Sequence, residues 1–120
     1  LPDQYRADIT LQAGPVTTGG PVMAYLTANT LDPPFALVSN HDTAAEAVNT
    51  FKALKSVGYY TWIDMAAPLA ANQVWVVKTR DAKYAKLRII SLTLNTSVTP
   101  VVATCSIEWV WQPDGSATFP

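Results

Sequence analysis

The sequence predicts a mainly β domain of antiparallel sheets with one α-helix. Three observations carry this: period-two alternation in long segments towards the C-terminus, a single stretch with apolar spacings of three and four, and Gly, Pro, Asn or Asp clusters between them. At 120 residues, 49% hydrophobic and 14% charged, the chain is long enough for one domain (1–120) with one core, without help from a disulfide or metal.

The elements follow in order. Tyr5 to Gln12 alternates Tyr5, Ala7, Ile9 and Leu11 against Arg6, Asp8, Thr10 and Gln12, which predicts a strand closed by Ala13-Gly14-Pro15. Gly19-Gly20-Pro21 is a second turn, followed by a short strand over Val22 to Thr27. Leu31-Asp32-Pro33-Pro34 is a loop, because two prolines remove two donors, and Phe35 to Val38 is a further short strand. At Thr43 the period changes. Ala44, Ala47, Val48, Phe51 and Leu54 form one stripe of a helix spanning about 43–56. Thr43 and Glu46 have capping-box spacing, with Asp42 as an alternative cap, and Gly58 offers a left-handed stop. Tyr59 to Asp64 is aromatic and β-branched and reads as a strand, and Met65 to Asn72 is a loop around Pro68.

Three long strands are then expected, at about 73–79, 84–94 and 101–111, the first two joined by a polar hairpin at Arg80-Asp81-Ala82-Lys83. In the middle strand Ala85, Leu87 and Ile89 share one face, while Ile90, Leu92 and Leu94 share the other. That change of parity calls for a bulge near Ile89-Ile90, or for cover on both faces. The last strand places Val101, Ala103, Cys105, Ile107, Trp109 and Trp111 on one face and ends at Gln112-Pro113-Asp114-Gly115.

The side chains narrow the chemistry. A net charge of −1 leaves no electrostatic footprint for nucleic acid. His41 is the only histidine, no nucleophile-elbow pattern occurs, and Asp64 and Glu108 lie in different strands, so the reading is not an enzyme. One Cys and one His cannot build a structural zinc site. Cys105, at an apolar strand position with no cationic neighbour, reads as a buried, inert thiol. Lys78, Arg80, Lys83, Lys86 and Arg88 form a basic hairpin, either a solvated face or a ridge for an acidic partner such as porphyrin propionates. Tyr59, Tyr60, Trp62, Trp75, Trp109 and Trp111 read as core aromatics. Low charge also leaves strand edges open to self-association.

Two C-terminal stretches resemble the HmuY-like haem-binding proteins. One is Val74-Trp75-Val76-Val77-Lys78-Thr79 followed by Asp81-Ala82-Lys83-Tyr84-Ala85-Lys86-Leu87-Arg88-Ile89-Ile90-Ser91; the other is Ile107-Glu108-Trp109-Val110-Trp111-Gln112-Pro113-Asp114-Gly115-Ser116. Ala7-Asp8-Ile9-Thr10-Leu11 with Thr17-Thr18-Gly19-Gly20 is similar to that family's early strand and turn. The resemblance is strongest over residues 74–116. It implies a bacterial protein, secreted or tethered to the outer membrane as a lipoprotein, that acts as a haemophore: it captures haem and passes it to an outer-membrane receptor. It also implies two axial ligands on the haem iron, for which this sequence offers Met65 and His41, with Met23 a further thioether and Trp62 lining the pocket. Relative to the family the chain is shorter by an N-terminal strand region and carries a helix in its middle. The alternative expectation is a structural or interaction β-module, a surface, filament or complex subunit, that uses the same scaffold without haem.

Overall fold

A computed structural model describes residues 9–28, 33–79, 83–112 and 118–119. Among them, in chain order, are β1 (Ile9–Pro15), β2 (Val22–Ala28), β3 (Phe35–Ser39), α1 (Ala44–Ala53), β4 (Val74–Lys78), β5 (Tyr84–Asn95) and β6 (Val102–Gln112). β1 and β2 form an antiparallel hairpin, and β3-β4-β5-β6 form a four-stranded antiparallel sheet in that order. The protein is therefore mainly β with one helix and long C-terminal strands.

The hairpin and the sheet are joined by a connecting segment. Ile63 exchanges two backbone hydrogen bonds with Phe35 of β3, Ala66 exchanges two with Leu26 of β2, and the Leu69 N–H donates to the Ala24 carbonyl. On the side of the sheet facing this segment lies the main core, where Leu26, Phe35, Ala66, Leu69, Trp75, Val77, Leu87 and Ile89 are packed together. Phe35 and Trp75 meet edge to face at 6.5 Å between ring centroids. Buried Gln73 ties this core to its loops: its carbonyl oxygen accepts from Trp75 Nε1 (3.0 Å) and the Ala70 N–H (2.9 Å), and its amide donates to Asn40 Oδ1 and the Pro68 carbonyl. Four hydrogen bonds satisfy an amide whose burial would otherwise be costly.

The opposite side of the sheet carries α1, whose Ala47 and Phe51 pack on Val74. Thr43 caps the helix: its hydroxyl accepts from the Glu46 N–H at 3.2 Å and donates to Glu46 Oε1 at 2.9 Å. The C-terminus departs from expectation. The helix stops at Ala53 with Leu54 extended, and Gly58 has no left-handed backbone to supply the stop. Lys86 does the terminating work instead, its ammonium donating to the Phe51 carbonyl (2.6 Å) and the Leu54 carbonyl (2.8 Å), where the helix leaves acceptors without partners.

The expected irregularity in β5 is present. Ile89 pairs with Ile107 but Ser91 pairs with Ser106, so Ile90 is an extra residue, a bulge. Skipping one residue brings Leu92 onto the side of Ala85, Leu87 and Ile89, and Leu92 and Cys105 both pack against the main core. Ile90 itself is 43% exposed rather than part of the core.

Other expectations are corrected. β1 continues through Pro15, which pairs with Val22 as the last residue of the strand, and among the described residues no third strand flanks the hairpin. The chain reverses at Thr17–Gly20, at the turn expected from Gly19-Gly20-Pro21: the Gly20 N–H donates to the Thr17 carbonyl and Gly19 takes φ +75°, a conformation glycine adopts without strain. Tyr59 to Asp64 is not a strand: only Ile63 finds a backbone partner, and a strand needs a ladder. Residues 5–8 of the expected first strand, Leu31-Asp32, Arg80-Asp81-Ala82 and Pro113-Asp114-Gly115 lie outside the described residues.

Candidate functional site

Two surfaces offer side chains for function. The first comprises the residues singled out as haem ligands. His41 follows the end of β3, is half-buried, and its Nε2 lies 2.8 Å from Ser39 Oγ. A serine and an imidazole at this distance have the geometry of a nucleophile and its base, but among the described residues no carboxylate is hydrogen-bonded to the ring to orient it. Met65 is half-buried and sits between the two backbone bridges made by Ile63 and Ala66, which hold its main chain from both sides. Trp62, just before them, stacks edge-on to Tyr60 and tilted against Tyr84 of β5, with both centroid distances 6.2 Å.

Trp62 and Met65 thus leave from the start of β3, where Ile63 pairs with Phe35, whereas His41 follows its end. About 13 Å of strand separates these anchoring points. Met23, the other thioether, is half-buried on β2 opposite Gly14. Among the described residues no group of three or more His, Cys, Asp or Glu gathers in a way that could hold a metal ion. No helix among them is long and apolar enough to cross a membrane.

The second surface is a trough of about 470 Å³ on the main-core side of the sheet. It is lined by Val77, Thr79, Ala85, Leu87, Ile107, Trp109 and Trp111 from β4, β5, β6 and the residue after β4, and by Ile9 of β1. Its origin is geometric. The period-two alternation puts Ile107, Trp109 and Trp111 on the same face as Leu87 and Ala85, their cross-strand partners. Ile9 and Leu11 of β1 and Ala28 of β2 pack against the same core as Leu92 and Cys105, and Ile9 also lines the trough. Trp109 and Trp111 stay 58% and 42% exposed, which corrects their assignment to the core. None of Met65, His41 and Trp62 lines the trough.

The trough's electrostatics are simple. Among the described residues its lining holds no acid, base or metal ligand and a single hydroxyl, that of Thr79, which hydrogen-bonds the Lys83 carbonyl at 3.2 Å. Lys83 Nζ stands 5.4 Å from the Trp111 ring centroid, a cation over an aromatic face. Such a surface can hold apolar matter.

The expected basic ridge is divided by the sheet. Arg88 pairs with Glu108 at 3.0 Å on the helix side. Lys86 is buried rather than solvated, its ammonium 4.6 Å from the Phe51 ring centroid and 5.6 Å from that of Phe119. Loss of hydration and the neighbouring Lys55 charge hold its pKa below the usual lysine value, with Glu108 opposing. Cys105 is half-buried, and burial pushes its thiol pKa up.

The trough and Lys86 were not legible in the sequence. Trp109 and Trp111 carry the alternation of a core strand, and only the strand order shows that β6 is the end strand among the described residues. For Lys86 the signal was present but silent about its meaning: a lysine between Ala85 and Leu87 in a strand with apolar residues on both sides.

No family model, curated protein or solved structure matches the chain.

Proposed function

We propose that this chain is a non-enzymatic binding module whose working surface is the apolar trough along β6. The observation that supports this is the exposure of Trp109 and Trp111, two large aromatic side chains side by side on a strand whose apolar face is only partly covered. Tryptophan is enriched in binding surfaces, and contiguous exposed apolar patches on a small domain mark interaction sites. An environment-sensitive apolar dye tests the reading. The native protein is expected to take up one dye per chain, and Trp109→Ser to weaken that uptake about tenfold, since losing a buried aromatic contact is worth more than 1 kcal/mol. Uptake unchanged by the substitution, or absent from the native protein, would remove the trough from the account.

A second reading is favoured by Met65, whose backbone is fixed between two bridges three positions after Trp62, which itself packs with Tyr60 and Tyr84. It makes the protein a haem carrier of HmuY type, secreted or outer-membrane-tethered in a bacterium and delivering haem to an outer-membrane receptor. Met65 and His41 are then the axial ligands and Trp62 a pocket wall. A thioether and an imidazole are a known pair on haem iron. Haem titration followed by absorption spectroscopy separates the readings. A shifted Soret band lost in Met65→Ala or His41→Ala supports the haem carrier, and no shift in either oxidation state ends it.

A further inference from the structure

We infer that the occupant of the β6 edge is a second copy of this chain, paired through the Ile107–Gln112 half of β6. The inference rests on the trough reading and specifies its partner.

Among the described residues β6 is the end strand of its sheet, with β5 its one neighbouring strand. Native edges are normally protected by lysines, prolines, bulges or short length. β6 has none of these: it is 11 residues long, contains no Lys or Pro, and the only irregularity in its pairing is carried by β5 at Ile90. Its single charge, Glu108, is already compensated within the chain by Arg88 on the helix side. Two identical edges can therefore approach without a like-charge penalty, and a net charge of −1 per chain adds little repulsion at longer range.

The side chains fit the same partner. In an antiparallel pair of identical strands about a two-fold axis, residues of one parity meet residues of the same parity, so the trough faces of the two copies become continuous. Trp109 and Trp111 of each copy then share one aromatic surface, and cross-strand aromatic pairs stabilise such ladders. The scale is modest. The exposed parts of the two tryptophans offer on the order of 200 Å² per chain. With Ile107 and the backbone edge, two chains bury on the order of 1,000 Å², the lower limit of specific interfaces. The pair is thus a weak, concentration-dependent dimer.

Sedimentation over about 1 μM to 1 mM tests it, without any added ligand. The expected result is a mass rising from one chain of 13.0 kDa towards two, abolished in Trp109→Lys and retained in Val22→Lys, which places the same charge on the other sheet's outer strand. A monomer throughout, or a dimer that survives Trp109→Lys, overturns the pairing. If that variant fails to fold, native-protein hydrogen exchange decides: the amides of Ile107–Gln112 must slow as concentration rises, and unchanged rates refute it. Monomeric protein that still takes up the apolar dye leaves the trough reading standing with another partner; loss of both ends both.

Discussion

β4 and β6 belong to one sheet and are built from similar residues, yet they have opposite fates. In β4 four consecutive residues, Val74 to Val77, are buried, and Trp75 is 2% exposed with its indole N–H bonded to Gln73. In β6, Trp109 is 58% exposed although its strand is more than twice as long. The difference is the number of neighbours. Among the described residues β4 has a strand on each edge, α1 on one face and the main core on the other, whereas β6 has a single strand beside it and a partly covered face. A tryptophan is core or contact surface according to strand order, with its own hydrophobicity unchanged.

The largest test of this contrast removes the two indoles in turn. Trp75→Ala should cost about 4 kcal/mol, as expected for truncating a buried aromatic. Trp109→Ala should stay within about 1 kcal/mol in dilute monomer, as for an exposed position. Equal shifts in urea midpoint would mean that β6 is buried as deeply as β4. Phe51→Asp probes the cover that β4 receives from α1. It places a carboxylate against Ala47 and Val74, with an expected loss of about 3–4 kcal/mol, and unchanged stability would show that the helix does not protect that face.

Insertion of one alanine between Ser106 and Ile107, opposite Ile90, acts on the join between β5 and β6. It makes the ladder regular but turns Leu92 and Leu94 over relative to Ile89, at an expected cost of about 2–3 kcal/mol. A thermal midpoint equal to wild type would contradict the bulge's role.

Lys86→Met is smaller, about 1–2 kcal/mol near pH 7, because two helix-terminal carbonyls lose a charged donor. The sign of its pH dependence follows from the lowered pKa. Between the folded value and 10.5, the unfolded chain binds the proton that the folded chain has released, so Lys86 adds stability as pH rises through that window. The gap between wild type and Lys86→Met should therefore widen from about pH 7 to about pH 10, and a narrowing gap would refute it. The smallest effect is kinetic: with its pKa raised by burial, Cys105 should react with a thiol reagent more slowly than free cysteine, and denaturant should remove the difference.

Local patterning made much of the fold legible. The stripe from Ala44 to Phe51, the Thr43–Glu46 cap and the alternation of β5 and β6 are consequences of period and of short-range hydrogen bonding. The parity change at Ile89-Ile90 even located a bulge, because a residue's face is fixed by counting along the strand. What escaped depends on residues distant in sequence. Tyr59 to Asp64 has strand composition but lacks a partner ladder. The helix stop lies in a lysine more than 30 positions downstream, and the trough follows from a strand order that alternation alone does not encode. The proposed ligands were read from residue type; where the connecting segment carries Met65 relative to His41 is again a matter of long-range pairing.

That connecting segment also sets a timetable. Two-stranded hairpins are marginal in water, so β1–β2 gains persistent order only on docking. Its docking bonds come from Ala66 and Leu69, about 40 positions beyond the strand they hold. A chain emerging from the ribosome must therefore wait for these residues before its first two strands become secure, and closure over so long a loop is slow. In the finished protein the dependence runs in reverse: opening of residues 63–69 frees the hairpin while β4 and β5 stay paired. Amides of β1 and β2 should accordingly exchange with solvent as one group, ahead of those in β4.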